Sequence, residues 1–209
     1  MGYMFRVNEH VLIPRQDTEI LVEEVLRHVR AGMKILDLCT GSGCILLSLL
    51  KMVPGLTGLG TDISGQALQI AERNREDLGL KTEAELRKSD LFEQVEGRFD
   101  CILSNPPYIP SKVIGSLMEE VREHEPGIAL DGGEDGLYYY RKITEQSPAY
   151  LKPGGMLFLE IGYDQAGAVM GLMARDFTHV HVVKDLAGHD RVVYGSLRAH
   201  INGTKCLPS

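Results

Sequence analysis

The stretch Ile35-Leu36-Asp37-Leu38-Cys39-Thr40-Gly41-Ser42-Gly43 decides the fold. It closes an apolar run, residues 33–38, of the length of one buried strand. It then breaks at two glycines and continues into residues 43–52, which read as a helix. Gly41 and Gly43 permit a tight turn and a close backbone approach to a ligand. The helix N-terminus behind them offers free N–H groups and a partial positive charge. A dinucleotide fingerprint requires a third glycine three residues on, and that place is Leu46. Asp37 lies inside the strand end, where a carboxylate would repel a pyrophosphate and suit a cationic group.

Working outward, strand-like and helix-like segments alternate. Residues 56–61, 83–88, 100–104 and 156–161 read as strands, and residues 179–184 and 191–196 as a closing strand pair. Helices are expected over 17–29, 64–78 with Ser64 as N-cap, 135–151 and 165–175. Lys152-Pro153-Gly154-Gly155 should stop the helix before it. In the first helix Leu21, Val25 and Val29 recur at i, i+4 and i+8. Such alternation predicts an α/β domain with a mostly parallel sheet. One domain is expected over 1–198, with 1–31 as a leading segment and helix and 199–209 as a loose tail.

The strand ends carry the chemistry. Asp62 ends the second strand, 19 residues after Gly43, where an acid can take both hydroxyls of a ribose. Asp90 ends the third, in reach of an adenine amino group. Asn105-Pro106-Pro107-Tyr108 follows the fourth. Proline fixes φ and pushes its predecessor out of the helical region, so the backbone around Asn105 is stiff. The Asn105 carboxamide and the Pro106 carbonyl are two fixed acceptors beside a ring, suited to a planar NH2 group. Taken alone, Asn-Pro-Pro reads equally as a turn with a capping Asn. Ligands of open α/β sheets bind at the carboxyl ends of strands, and all these residues fall there. An adenosine bearing a sulfonium cation and an amino-acid tail, S-adenosyl-L-methionine, satisfies the set.

The remaining composition sets bounds. The 209 residues are 44% hydrophobic and 24% charged, with a net charge of −7. That balance argues against a dedicated nucleic-acid binder. No apolar run approaches the ~18–20 residues of a membrane helix, and no signal-peptide layout opens the chain. Cys39, Cys44, Cys101 and Cys206 form no C-x-x-C pair and read as free thiols of a reducing cytoplasm. His179 and His181 alternate along a strand, but no further ligand clusters with them, so no metal is expected.

Asp37-Leu38-Cys39-Thr40-Gly41-Ser42-Gly43 with Asp62, Asp90 and Asn105-Pro106-Pro107-Tyr108 resembles class I S-adenosylmethionine-dependent methyltransferases acting on planar nitrogen. Three further stretches are similar to the release-factor glutamine N5-methyltransferases. They are Val11-Leu12-Ile13-Pro14-Arg15-Gln16-Asp17-Thr18-Glu19, Ala129-Leu130-Asp131-Gly132-Gly133-Glu134-Asp135-Gly136 and Asp185-Leu186-Ala187-Gly188-His189-Asp190-Arg191-Val192-Val193. The resemblance spans residues 5–196. Gln16 departs from a usual proline and Cys39 from a frequent glycine. The family also has a helical N-terminal domain that helps hold the release factor, and this chain starts almost at the catalytic domain.

The resemblance implies a Rossmann-like fold: a seven-stranded, mostly parallel sheet with a closing antiparallel strand. It implies methyl transfer to a glutamine amide nitrogen in a Gly-Gly-Gln sequence of class I peptide release factors, by a cytoplasmic monomer without nucleic acid or membrane. Asn105, Pro106, Pro107 and Tyr108 would hold the acceptor amide. Asp37 would face the methionine amino group and Cys39, Thr40, Gly41, Ser42 and Gly43 its backbone. Asp62 with Ile63 would take the ribose and Asp90 with Leu91 the adenine, with Arg15 and Thr18 lining the same cleft. The tetrapeptide alone is shared with adenine-N6 and guanine-N2 nucleic-acid methyltransferases, and a ribosomal-protein glutamine is the nearest related substrate. The loop at 131–136 lacks the acid spacing of an EF-hand and is expected to cap the next helix at Asp135.

Overall fold

A computed structural model describes residues 2–115 and 126–199. Seven strands form one sheet: β1 Lys34–Leu38, β2 Thr57–Asp62, β3 Ala84–Lys88, β4 Phe99–Ser104, β5 Leu151–Glu160, β6 Phe177–Lys184 and β7 Asp190–Leu197. Their order is β3-β2-β1-β4-β5-β7-β6. The first five pair in parallel, and β7 runs antiparallel to both β5 and β6. The helices are α1 Gln16–Leu26, α2 Cys44–Met52, α3 Gly65–Asp77, the single turn α4 Ser111–Ile114, α5 Tyr138–Tyr150 and α6 Ala166–Met173.

Strand alternation sends neighbours to opposite faces of the sheet. Ile35, Cys101, Leu103 and Phe158 pack with Leu21 and Val25 of α1 and Leu46 and Leu49 of α2. Leu36, Leu38, Ile102 and Leu157 pack on the other face with Tyr140 and Ile143 of α5 and Val169 of α6. The sheet is thus buried on both sides, as a parallel sheet requires. Burying one such leucine contributes about 1.5–3 kcal/mol.

Several boundaries move from the sequence expectation. β5 does not begin after Lys152-Pro153-Gly154-Gly155 but at Leu151, and the four residues bulge within it, between the pairs Phe99–Leu151 and Cys101–Met156. The helix before them does stop, at Tyr150; Gly154 adopts φ +75° and a Cβ on Gly155 would sit 3.0 Å from the Asp100 carbonyl, so the glycines also serve a bulged strand. Helix α5 starts at Tyr138 with Leu137 at its cap position. Asp135 accepts from the Leu137 N–H at 3.1 Å and pairs with Arg141, so it braces the entry turn from two residues upstream. Ser64 does cap α3, accepting from the Ala67 N–H at 3.1 Å. α1 ends at Leu26, short of Val29.

β6 carries a register shift between Thr178 and His181, with His179 at φ +51°. Among the described residues no three His, Cys, Asp or Glu side chains gather as a metal would need. Cys39, Cys44 and Cys101 are free thiols, while Cys206 and the tail from 200 onward lie outside the described residues. No described helix is long and apolar enough to cross a membrane. The chain leaves β1 toward β2 on one side and β4 toward β5 on the other. The two strands whose ends carry the quoted motifs are therefore neighbours at the switch point of the sheet, where such folds form a crevice.

Candidate active site

At the end of β1, Asp37 is completely buried beneath the glycine turn. Thr40 Oγ1 donates to Asp37 Oδ2 at 2.5 Å. The Leu46 N–H points toward the carboxylate, but among the described residues no donor reaches Oδ1 with hydrogen-bond geometry. Burial pushes the Asp37 pKa up to about 7, against the pull of Thr40 and Leu46, and nearby Asp62 raises it further. A buried carboxylate oxygen with no partner lacks what a donor or cation would supply. The carboxylate places negative charge directly beneath the turn, which favours a cationic group in the cleft above it.

The turn above it runs through left-handed backbone at Cys39 (φ +58°), Gly41 (φ +56°) and Gly43 (φ +79°). A Cβ on Gly41 would meet nothing within 4 Å, so that glycine is there for its φ and its open face. A Cβ on Gly43 would lie 2.9 Å from Leu47 Cδ1, so that one lets α2 start close to the strand. Cys39 is not glycine, and its left-handed backbone costs about 1–2 kcal/mol. Leu91, after Asp90, is likewise at φ +46°. Ser89 holds that second strained turn, donating from Oγ to the Leu91 carbonyl at 2.9 Å and accepting from the Gln94 N–H at 3.0 Å.

The Asp62 carboxylate ties the glycine turn to the entry of α3. Its Oδ2 accepts from the Gly41 N–H at 2.9 Å and its Oδ1 from the Ser64 N–H at 2.8 Å. Burial raises its pKa despite these donors. Each oxygen keeps a second lone pair, so the carboxylate is oriented yet can still accept from hydroxyls.

On the other side of the switch point, Ser104 Oγ donates to the Leu38 carbonyl at 2.8 Å and locks the end of β4 to the end of β1. Asn105 follows half-buried, then buried Pro106 and Pro107 and half-buried Tyr108. Glu160, one residue past the Ser104–Leu159 pair, is buried beside them. Its pKa is pushed up to about 7 by burial, against a hydrogen bond from Thr18 and the charge of Arg191. Burial raises the Tyr108 hydroxyl pKa, with Glu160 adding to it.

One cleft opens over these strand ends. Cys39, Thr40, Gly41 and Ser42 form its floor, Asp62, Ile63, Asp90 and Leu91 one wall, and Asn105, Pro107 and Thr18 the other. Asp37, Gly43, Pro106 and Tyr108 lie behind this lining. Arg15 lines a smaller adjoining hollow that shares Pro14 and Thr18 with the cleft. The cleft also recruits residues that had no assigned role in the sequence. His10, Val11 and Leu12 close it from the N-terminal side, and Ile128, Ala129 and Tyr139 from the far side. Only their membership in the stretches at 11–19 and 129–136 pointed to some of them. Glu160 gave no sequence signal beyond its place at a strand end.

Two of the three stretches of narrower resemblance, at 11–19 and 129–136, line this cleft, and the third, at 185–193, is tied to the first. Ile109 bridges to Asp131, with the Ile109 N–H donating to the Leu130 carbonyl at 3.0 Å and the Gly132 N–H to the Ile109 carbonyl at 2.9 Å. Arg191 reaches Asp185 at 2.9 Å and Asp17 at 3.3 Å, tying the β6–β7 turn to the start of α1.

Known proteins share this arrangement. The family model "Methyltransferase small domain" matches residues 15–124. A release factor glutamine methyltransferase of Caulobacter vibrioides is 48% identical over 196 residues, covering 92% of this chain and 68% of the relative. One of Clostridium acetobutylicum is 45% identical over 199 residues, covering 92% and 70%. The chain belongs to the release factor glutamine methyltransferase family. A crystal structure of a release-factor-specific protein-(glutamine-N5) methyltransferase from Alicyclobacillus acidocaldarius superposes with a TM-score of 0.55 at 32% identity, covering 93% of this chain and 99% of that one. The fold is accordingly the class I methyltransferase fold, and the protein is an S-adenosylmethionine-dependent methyltransferase.

Proposed function

We propose that the cleft holds S-adenosylmethionine against the side chain of a glutamine in a Gly-Gly-Gln sequence of a class I peptide release factor, and that the glutamine N5 takes the methyl group as the S–CH3 bond breaks, the sulfur keeping the bonding pair as S-adenosylhomocysteine and one N5 proton leaving to water. The observation that carries this reading is the meeting of Asn105, the glycine turn and Asp62 in one cleft, over a buried Asp37 whose Oδ1 is unmet.

Each residue then has a task. Asp37 attracts the amino group of the methionine tail, and the backbone of residues 39–43 follows that tail. Asp62, with Ile63, accepts from the ribose hydroxyls, and Asp90 with Leu91 borders the adenine. Thr18 and Arg15 complete the near wall. Asn105 Oδ1 and the Pro106 carbonyl accept the two amide hydrogens of the glutamine, which fixes the direction of its nitrogen and draws its lone pair toward the donor. Pro107 and Tyr108 keep that segment rigid beside the flat amide. The cofactor supplies an electrophilic methyl on sulfur, so alignment by these residues is the main lever; orientation can supply about 7–11 kcal/mol.

A protein rather than a nucleic acid fits the net charge of −7. We place the enzyme in the cytoplasm as a monomer, with residues 1–198 as its catalytic domain. Incubation with labelled cofactor and a release factor, followed by mass spectrometry of the Gly-Gly-Gln peptide, tests the substrate. A methyl on any other residue, or on none, would overturn it. Asn105→Ala should retain cofactor binding within a few-fold by titration calorimetry and lose turnover by about 10²–10³-fold. Near-normal turnover in that variant would sink the clamp.

A further inference from the structure

The acceptor clamp needs its backbone held in place, because Asn105 and Pro106 can steer an amide only from fixed positions. Prolines stiffen φ but do not anchor the segment in space, and the carbonyl of Tyr108 must find a donor as the chain turns away from β4. That donor is a side chain 57 residues later. Gln165 Nε2 donates to the Tyr108 carbonyl at 2.9 Å and to the Gly136 carbonyl at 3.2 Å, while Gln165 Oε1 accepts from the Gly162 N–H at 3.0 Å. Both amide hydrogens and one acceptor site are used. Gln165 is only 8% exposed and does not line the cleft.

The anchor is itself rigid. Gln165 stands at the N-cap position of α6; its N–H donates to the Gly162 carbonyl at 3.0 Å and its carbonyl accepts from the Val169 N–H at 3.0 Å. Three glycines let the backbones close around it. A Cβ on Gly136 would lie 2.4 Å from the Tyr108 carbonyl oxygen and 2.8 Å from Gln165 Nε2. A Cβ on Gly162 would lie 2.9 Å from Gln165 Oε1, and one on Gly132 would lie 2.7 Å from Tyr108 Cα. The side chain therefore fastens the segment at 160–165 to those at 105–110 and 131–137, which the Ile109–Asp131 bridge already joins to each other.

We propose that Gln165 is a positioning residue of the methyl transfer: by holding the Tyr108 carbonyl it sets where Asn105 and Pro106 present their acceptors. The proposal rests on the reading of Asn105–Tyr108 as the acceptor clamp. Gln165→Glu keeps size and the acceptor for Gly162 but turns a donor toward two carbonyls into a like-charged oxygen. Displacements of about 1 Å at a reacting centre cost on the order of 10²-fold, so kcat should fall about 10- to 100-fold. The dissociation constant of the cofactor and the KM for the release factor should stay within about threefold, since Gln165 touches neither site.

The test is steady-state kinetics on a release factor at 20 °C with calorimetry of cofactor binding, on the parent, Gln165→Glu, Gln165→Met and Asn105→Ala. A kcat within twofold of the parent in a folded Gln165→Glu, with Asn105→Ala inactive, would remove the positioning role and leave the clamp standing. Normal turnover in Asn105→Ala would instead remove the clamp reading beneath it. A parallel loss of cofactor affinity and kcat would show a merely structural residue. Should both Gln165 variants fail to fold, side-chain amide exchange in the parent decides: the Gln165 NH2 should exchange slowly, its two hydrogens being held by buried carbonyls, and rapid exchange would overturn the proposal.

Discussion

The two halves of the cleft are built on opposite plans. The half at β1 is local in sequence: strand, glycine turn and helix follow within residues 34–52, and Asp62 fastens them by taking the Gly41 N–H. It contains left-handed backbone at Cys39 and a buried acid with an unmet oxygen among the described residues. The half at β4 is stiff but has few local bonds. It is held by Ser104 to β1, by the 130–133 loop through Ile109, and by Gln165 through Tyr108. The first half keeps a buried carboxylate oxygen without a partner among the described residues, whereas the second ties its Ile109 and Tyr108 backbone groups to distant segments. A site that binds a mobile cofactor can leave charge unmet until the ligand comes. A site that orients a weak nucleophile gains more from geometry fixed in advance.

The comparison breaks first at Asn105: its removal should strike turnover by about 10²–10³-fold and leave cofactor binding nearly intact. If both fell together, the halves would not be separable.

Asp37→Asn is the converse. It should weaken the cofactor by about 1–3 kcal/mol, through loss of the negative charge beneath the turn. It should leave the free protein as stable or more so, because a buried unmet charge is gone. Calorimetry and thermal unfolding without ligand would read the two signs, and a destabilised free protein with normal affinity would refute the assignment. The pH dependence follows from the same group. The Asp37 pKa is about 7 when folded and near 3.8 when unfolded. Between these values the folded state keeps a proton that the unfolded state loses, so Asp37 makes the free protein less stable as pH rises from about 4 to 7. Glu160, also near 7, adds in the same direction. Cofactor affinity should rise over that same range as Asp37 ionises, and Asp37→Asn should flatten the affinity profile.

Asp62→Ala should weaken the cofactor by about 1–3 kcal/mol, since it removes both the ribose acceptor and the brace on Gly41. Gly132→Ala acts from outside the cleft. Its Cβ would press on Tyr108 Cα at 2.7 Å, and overpacking of this kind costs about 1–3 kcal/mol. Chemical denaturation should show that loss, with kcat falling while cofactor affinity holds. Cys39→Gly is the mildest change. Relief of the left-handed strain opposes the entropy of a new glycine, and the unfolding free energy should move by less than about 1 kcal/mol. A larger loss would mean that the Cys39 side chain, not its backbone, matters to the turn.

The cofactor half was the more legible in sequence for a physical reason. Glycine spacing, a strand-end acid and a second acid 19 residues on are local requirements of chain geometry, and they survive in one dimension. The resemblance over residues 5–196 carried the rest of the fold. Boundaries were less legible where tertiary contacts override local signals. Lys152-Pro153-Gly154-Gly155 reads as a breaker, yet it bulges inside β5 because β4 lies alongside to pair with both its flanks.

By itself the sequence determined the parallel α/β layering, the place of the acids at strand ends and the stiffness of Asn105-Pro106-Pro107-Tyr108. These follow from hydrophobic period, glycine and proline, all of which act within a few residues. Only the tertiary structure decided that Asp37 is sealed under the turn with one oxygen unmet, that Glu160 lies buried beside the clamp, and that Gln165 fastens Tyr108. Burial and long-range hydrogen bonds depend on which segments meet, and no local pattern in the chain encodes those meetings.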